Sequence, residues 1–168
     1  MPDLADYFRT MARNNRWSNH RIHRACAALS AQEYSRDRGA FFRSIHGTLN
    51  HVLLVDQHYL GALQGVAVDP LPLNHQVYPD LATIDEPQEA HDRKLIAFCD
   101  RLTAVELERT TRWANSNGDS CEDPVHVLLA HLLLHQIHHR GQVHNLLTIG
   151  GFAAPQLDEF LLSHDAPL

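Results

Sequence analysis

"HLLLHQIHHRGQVHNLL", residues 131–147, sets five histidines among apolar residues: His131, His135, His138, His139 and His144. Helical residues advance about 100° each, so His139 lies about 40° from His135, Gln142 about 20° to the other side, and Leu128, Leu132 and Leu146 within about 60°. His135 and His139 are therefore expected on the core-facing stripe. His131 and His138 fall on one flank, and His126 and His144 on the opposite side, where they should be solvated. The ends of the stretch carry helix signals: Asp123 as N-cap, Pro124 at the first helical position, and Gly150-Gly151 as the stop. That predicts about 26 residues, roughly 39 Å of helix at about 1.5 Å per residue.

Two imidazoles at i and i+4 on one helix face can chelate a divalent ion. The spacing alone is a weak signal, because 14 of the 168 residues are histidine and His131/His135 repeats it. An inward histidine is also commonly an ordinary, satisfied core residue. What favours metal is a polar seam on another helix, from which His51 could supply a third imidazole.

That other helix is predicted from about Gly39 to Ala62, with Phe41, Phe42, Ile45, Leu49, Val52, Val55 and Tyr59 as its apolar positions. Ser44, Thr48, His51 and His58 run beside that stripe. Asp56 lies about 140° from His51, which argues against a ligand role and suggests pairing with a base such as Arg140. The first helix, about Asp3 to Leu29, joins Leu4, Phe8, Met11, Asn15, Ser18, Ile22, Ala25 and Leu29 into one face. Asn15 and Ser18 interrupt that face. Either something polar lies opposite them, or a local rotation turns Trp17 inward instead. Residues Gly65 to Pro87 hold four prolines and no helical period, so they read as a long loop. A third helix is expected from Gln88 to Leu102, a small hairpin around Asn117-Gly118, and a short terminal helix from Gln156 to Ser163. Four long helices and one long crossover predict an all-α four-helix bundle, formed by a single domain over residues 1–168.

Composition narrows the function. Hydrophobic residues make up 44% and charged residues 20%, as in ordinary globular proteins. A net charge of −6 without a Lys/Arg run argues against nucleic acid as a partner. No signal peptide or membrane-spanning run is visible, which leads to the expectation of a cytoplasmic protein without a membrane partner. Cys26, Cys99 and Cys121 are odd in number and lack C-x-x-C spacing, so they read as core residues. A chain of this length needs no metal to fold, so a bound metal would be functional.

Three segments together resemble a known family. "HQIHHRGQVHNLL" looks like the H-x-x-x-H-R-G-Q motif of the DinB/YfiT-like family, and "SIHGTLNHVLLVDQHYL" resembles its second-helix motif, with a histidine five positions before an Asp. "NNRWSNHRI" is similar to its Y-N-x-W-A-N stretch, departing at Asn14 and Ser18. The resemblance runs from about Leu4 to Leu147 and implies an up-down-down-up bundle, commonly a homodimer. Carried over by position, it implies His51, His135 and His139 as metal ligands, with His138 at a variable position. The family is named for DNA-damage-inducible expression, a stress response that by itself specifies no chemistry.

Three neutral imidazoles leave a divalent metal at least one open position, suited to zinc or nickel, with iron or manganese as further options. By resemblance, the expected activity is a metal-dependent S-transferase acting on a small-molecule substrate and a low-molecular-weight thiol. Asn15, Ser18, Asn19 and Gln142 are candidates for orienting water or substrate, or simply for capping and interhelical hydrogen bonds. The alternative is a non-enzymatic metal-binding stress-response protein, which would lack a deep pocket. A di-iron oxygen carrier is disfavoured because no inward carboxylate pairs with the histidines. A serine or cysteine hydrolase is disfavoured because G-x-S-x-G is missing and no helical seam pairs a cysteine with histidine, while a metal-dependent, hydrolase-like enzyme remains an option beside the transferase.

Overall fold

The computed structural model describes residues 3–66, 75–115 and 117–158. Four long helices form the body: α1 (Leu4–Cys26), α3 (Ile45–Leu63), α4 (Leu81–Asp100) and α6 (Val125–Ile149). Short helices α2 (Ala31–Ser35) and α5 (Ala104–Glu108) and a hairpin of β1 (Thr110–Ala114) and β2 (Ser120–Pro124) connect them. Cross-helix contacts fix the directions. Asn19 to Asp92 and Arg13 to Asp100 make α1 and α4 antiparallel, and His51 to His135 with Tyr59 to His131 do the same for α3 and α6. Tyr78 bonds to Asn50 just before α4 begins, so α4 starts beside the first half of α3 and the two helices run parallel. The result is the expected up-down-down-up four-helix bundle.

Local chemistry sets the ends. Asp3 caps α1 in a capping box with Asp6, and Ser44 caps α3 by accepting from the Gly47 N–H. That shortens the expected second helix, because residues 39–44 form a turn before it, and Phe41 is 77% exposed rather than a core position. The expected loop is also shorter. Helix α4 begins at Leu81 rather than Gln88 and contains Pro87, which gives up one backbone hydrogen bond. The Asp80/Thr83 capping box and fully buried Ile84 offset that loss. At α6 the N-cap is Pro124 and the helix starts at Val125, because Asp123 belongs to β2, where it accepts from Trp113 Nε1 at 2.7 Å. The hairpin forms around Asn117-Gly118 as expected, with Trp113 opposite Cys121. Of the predicted terminal helix, residues 156–158 are not helical and 159–163 lie outside the described residues.

The interior is layered. One apolar cluster holds Phe8, Leu60, Leu95, Phe98, Leu128 and Leu132; a second, at the other end, holds Ile22, Ile45, Leu53, Ile84, Val143 and Leu147. Between them lies a buried polar belt. Arg140 donates to Asn15, and to Asn19 at 3.0 Å and Gln136 at 2.9 Å; Asn19 and Gln88 donate to Asp92 at 2.9 and 3.2 Å. Burial pushes the Asp92 carboxyl up to about 6 and the Arg140 guanidinium down to about 10. This belt explains the interrupted face of α1: polar groups do lie opposite Asn15, and Trp17 is buried beside Asn15 and Ser18 rather than in their place. Among the described residues, no helix is long and apolar enough to cross a membrane.

Candidate metal centre

The belt's height on α3 and α6 is also where His51, His135 and His139 meet. One ring nitrogen from each lies within 4.8 Å of the others. His51 Nε2 faces His135 Nε2 at 3.0 Å. Two nitrogens bound to one tetrahedral zinc at about 2.0–2.1 Å would stand about 3.3 Å apart. The spacing and donor type therefore fit a divalent metal.

Burial and neighbouring groups favour the neutral form of His135 and His139 and orient the His139 ring. His139 Nδ1–H donates to Gln142 Oε1 at 2.8 Å, which leaves Nε2 with its lone pair free for a metal. Gln142 in turn donates to exposed His138 at 3.0 Å, so its side chain is engaged with two histidines of its own helix. Burial, followed by the surrounding imidazoles, holds His135 far below the usual imidazole range. His139 is lowered as well, chiefly by burial and against the Gln142 hydrogen bond. Neutral imidazole is the form that binds metal.

Behind His135 stands Asp56. It is fully buried, and its Oδ1 lies 3.9 Å from His135 Nδ1 while its Oδ2 lies 4.0 Å from His91 Nε2. Neither carboxylate oxygen has a hydrogen-bond partner among the described residues. Asp56 is thus no member of the histidine triad, as its angle implied, but it does not hydrogen-bond Arg140 as expected. Burial, then the Asp92 charge, raise its carboxyl well above the ordinary range.

The helical wheel misjudged α6 in one respect. Its buried face centres on Gln136 and Val143 rather than on His135, roughly 80° away at about 100° per residue. Gln136 and Arg140 are buried at 0% and 5% exposure. His135 therefore sits at the border of the core, where a metal could still reach an outside ligand. His131 and His138 are exposed, whereas His126 and His144 are half-buried rather than solvated, His126 through a 2.9 Å bond to the Leu107 carbonyl. His58 leaves the seam to donate to the Ala114 carbonyl at 2.8 Å, pinning the hairpin to α3. Asn15, Asn19 and Ser18 are buried in the belt rather than among the residues lining the centre.

The three histidines open onto a cavity of about 520 Å³. Phe42, whose ring stacks on His51 with centroids 3.9 Å apart, forms one side. Tyr59 and Trp113, 5.5 Å apart, form another. Trp113 could not be assigned to the site from the sequence, since only the packing of the hairpin on α3 brings it there. Phe42 was read as a core position, and its contact with His51 depends on the turn before α3.

Comparison with known proteins bears on the family and the fold. A family model described as the DinB family matches residues 1–166. Protein DinB of Bacillus subtilis (strain 168) is 24% identical over 161 residues, covering 92% of each chain. The crystal structure of a DinB-like protein from Bacillus cereus ATCC 10987 superposes with a TM-score of 0.63 at 16% identity, covering 83% of this chain and 90% of that one.

Proposed function

The chain belongs to the DinB family, and from that premise we propose that His51, His135 and His139 hold a divalent metal, zinc or nickel before iron or manganese, in a thiol-dependent S-transferase. The observation that carries this reading is the trio of ring nitrogens within 4.8 Å beside an open cavity. When bound, the metal would lower the pKa of a thiol or water at its open position. The protein's own residues do the rest. Gln142 keeps the His139 proton on Nδ1, away from the metal. The buried Asp56 carboxyl stands behind His135, 3.9 Å from its Nδ1, and would accept that N–H when metal draws on Nε2. Phe42 covers the face of His51 and keeps water from that side.

The cavity is what favours an enzyme over a metal-binding stress protein, since such a protein needs no room for substrate. The same reading makes the protein a cytoplasmic homodimer. Exposed Tyr7, Leu134 and Ile137, at 53%, 66% and 49%, supply apolar surface for a second copy, and sedimentation velocity tests this.

The function is tested by elemental analysis of untagged protein, followed by thiol titration of a cobalt-substituted sample. About one metal per chain and a new charge-transfer band on adding thiol are expected. Metal with no spectral response to thiol would overturn the transferase reading. Absence of metal would return the histidines to structural roles.

A further inference from the structure

The cavity beside the histidines has an unusual wall. Among the described residues that line it there is no Asp, Glu, Lys or Arg. Its broad surfaces come from Phe41, Phe42, Val55, Tyr59 and Trp113, with Asn115, His138 and Gln142 as polar edges.

Two of the aromatics are placed there at some cost to the fold. Phe41 sits in a tight turn closed by the Arg43 N–H donating to the Ala40 carbonyl at 2.8 Å. Arg43 adopts φ +69°, a conformation unfavourable for residues other than glycine. The turn presses so closely on α3 that a Cβ at Gly47 would collide with the Phe42 carbonyl. Phe42 gains burial from this arrangement, but Phe41 stays 77% exposed and meets Phe42 edge-on at 4.9 Å. Nothing in the core requires an aromatic at position 41. Trp113 arrives from a different element, with its indole N–H tied to Asp123 and its ring left as cavity wall.

We propose that Phe41 and Trp113 form an aromatic clamp that selects ligands with a single metal-binding head and an uncharged aromatic body. The inference rests on the metal-site reading above and adds the class of substrate. A single thiolate or carboxylate head finds its counter-charge on the metal. A ligand bearing further carboxylates or phosphates would find no Lys or Arg in the lining to pair with them, with His138 as the one imidazole outside the metal triad. Stacking on two aromatic faces rewards a flat apolar body.

The test uses cobalt-loaded protein titrated with phenylmethanethiol, ethanethiol and glutathione, compared at equal thiolate concentration, and separately with benzoate and acetate. The cobalt absorption reports binding. Phenylmethanethiol should bind about tenfold more tightly than ethanethiol, and glutathione no better than ethanethiol. Phe41→Ala and Trp113→Ala should each reduce the preference for phenylmethanethiol over ethanethiol about fivefold. An unchanged preference in both variants, or glutathione binding as tightly as phenylmethanethiol, overturns the clamp while leaving the metal and thiol reading intact. If no thiol alters the spectrum, the thiol reading fails alone. The clamp is then judged on benzoate against acetate in the same variants, where equal binding overturns it. Should Trp113→Ala misfold, Phe41→Ala decides, because that side chain is exposed. A protein that takes up no cobalt overturns the clamp together with the metal reading.

Discussion

Asp56 Oδ1 lies 3.9 Å from His135 Nδ1, on the opposite side of the ring from the Nε2 that faces His51 at 3.0 Å. One imidazole therefore stands between a buried carboxyl and the metal candidate. A carboxylate that accepts the N–H of a metal-binding histidine orients the ring, and removing it typically weakens metal affinity about 10–100-fold; at 3.9 Å the Asp56 carboxyl would take that role by closing on Nδ1 when metal binds. Asp56→Asn is expected to fold and to lose affinity in that range. Competition against a chromophoric chelator measures it, and wild-type affinity in the variant would show that the contact is incidental.

The ligands themselves give a sharper contrast. His51→Ala, His135→Ala and His139→Ala should each lose stoichiometric metal and keep a helical far-ultraviolet spectrum, since the bundle has its own core at both ends. His144→Ala should retain the metal. Full metal content in the His135 variant would remove that residue from the centre, and loss of the helical spectrum would make the metal structural.

Arg140 joins the buried belt through Asn15, Asn19 and Gln136. Replacing one member of a buried charged network leaves its partners uncompensated, at a cost of about 3–5 kcal/mol. Arg140→Met should therefore lower the urea midpoint substantially. A change of a few tenths of a kcal/mol would mean that the belt rearranges around the loss.

His91 supplies a pH dependence outside the metal centre. Burial first, and then the Lys94 charge, push it down to about 4 from 6.5, and Asp56 Oδ2 faces it at 4.0 Å. Between pH 6.5 and about 4 the unfolded chain takes up a proton that the folded chain refuses, so this group costs stability as pH falls, on the order of 3 kcal/mol over the whole window. Asp92 acts the other way. Its raised pKa of about 6 stabilises the fold below 3.8, and that contribution is lost as pH rises to about 6. His91→Gln removes only the first effect. Urea titrations at pH 7, 5.5 and 4.5 should show the variant losing less stability on acidification than wild type, and identical slopes would contradict the assignment.

Gly47→Ala tests the turn before α3. The added methyl would meet the Phe42 carbonyl, and overpacking against backbone costs about 1–3 kcal/mol. Because Phe42 stacks on His51, metal affinity should fall as well. A variant with unaltered stability would show that the turn yields freely.

The sequence alone determined the helices that carry the candidate site and the His135/His139 pair, while His51 was indicated by a polar seam and a family resemblance. Helical period and the H-x-x-x-H spacing are local properties, and chain order preserves them. It misplaced what depends on partners. Pro87 read as a helix breaker because the capping box and the burial of Ile84 that offset it are visible only in the fold. The wheel centred the buried face of α6 on His135 rather than toward Gln136 and Arg140, because a hydrophobic pattern cannot register polar groups satisfied by another helix. Only the tertiary structure brought Asp56 behind His135 and Trp113 to the cavity. Each of those contacts depends on how two separate elements pack, and neither spacing nor composition along one element records that geometry.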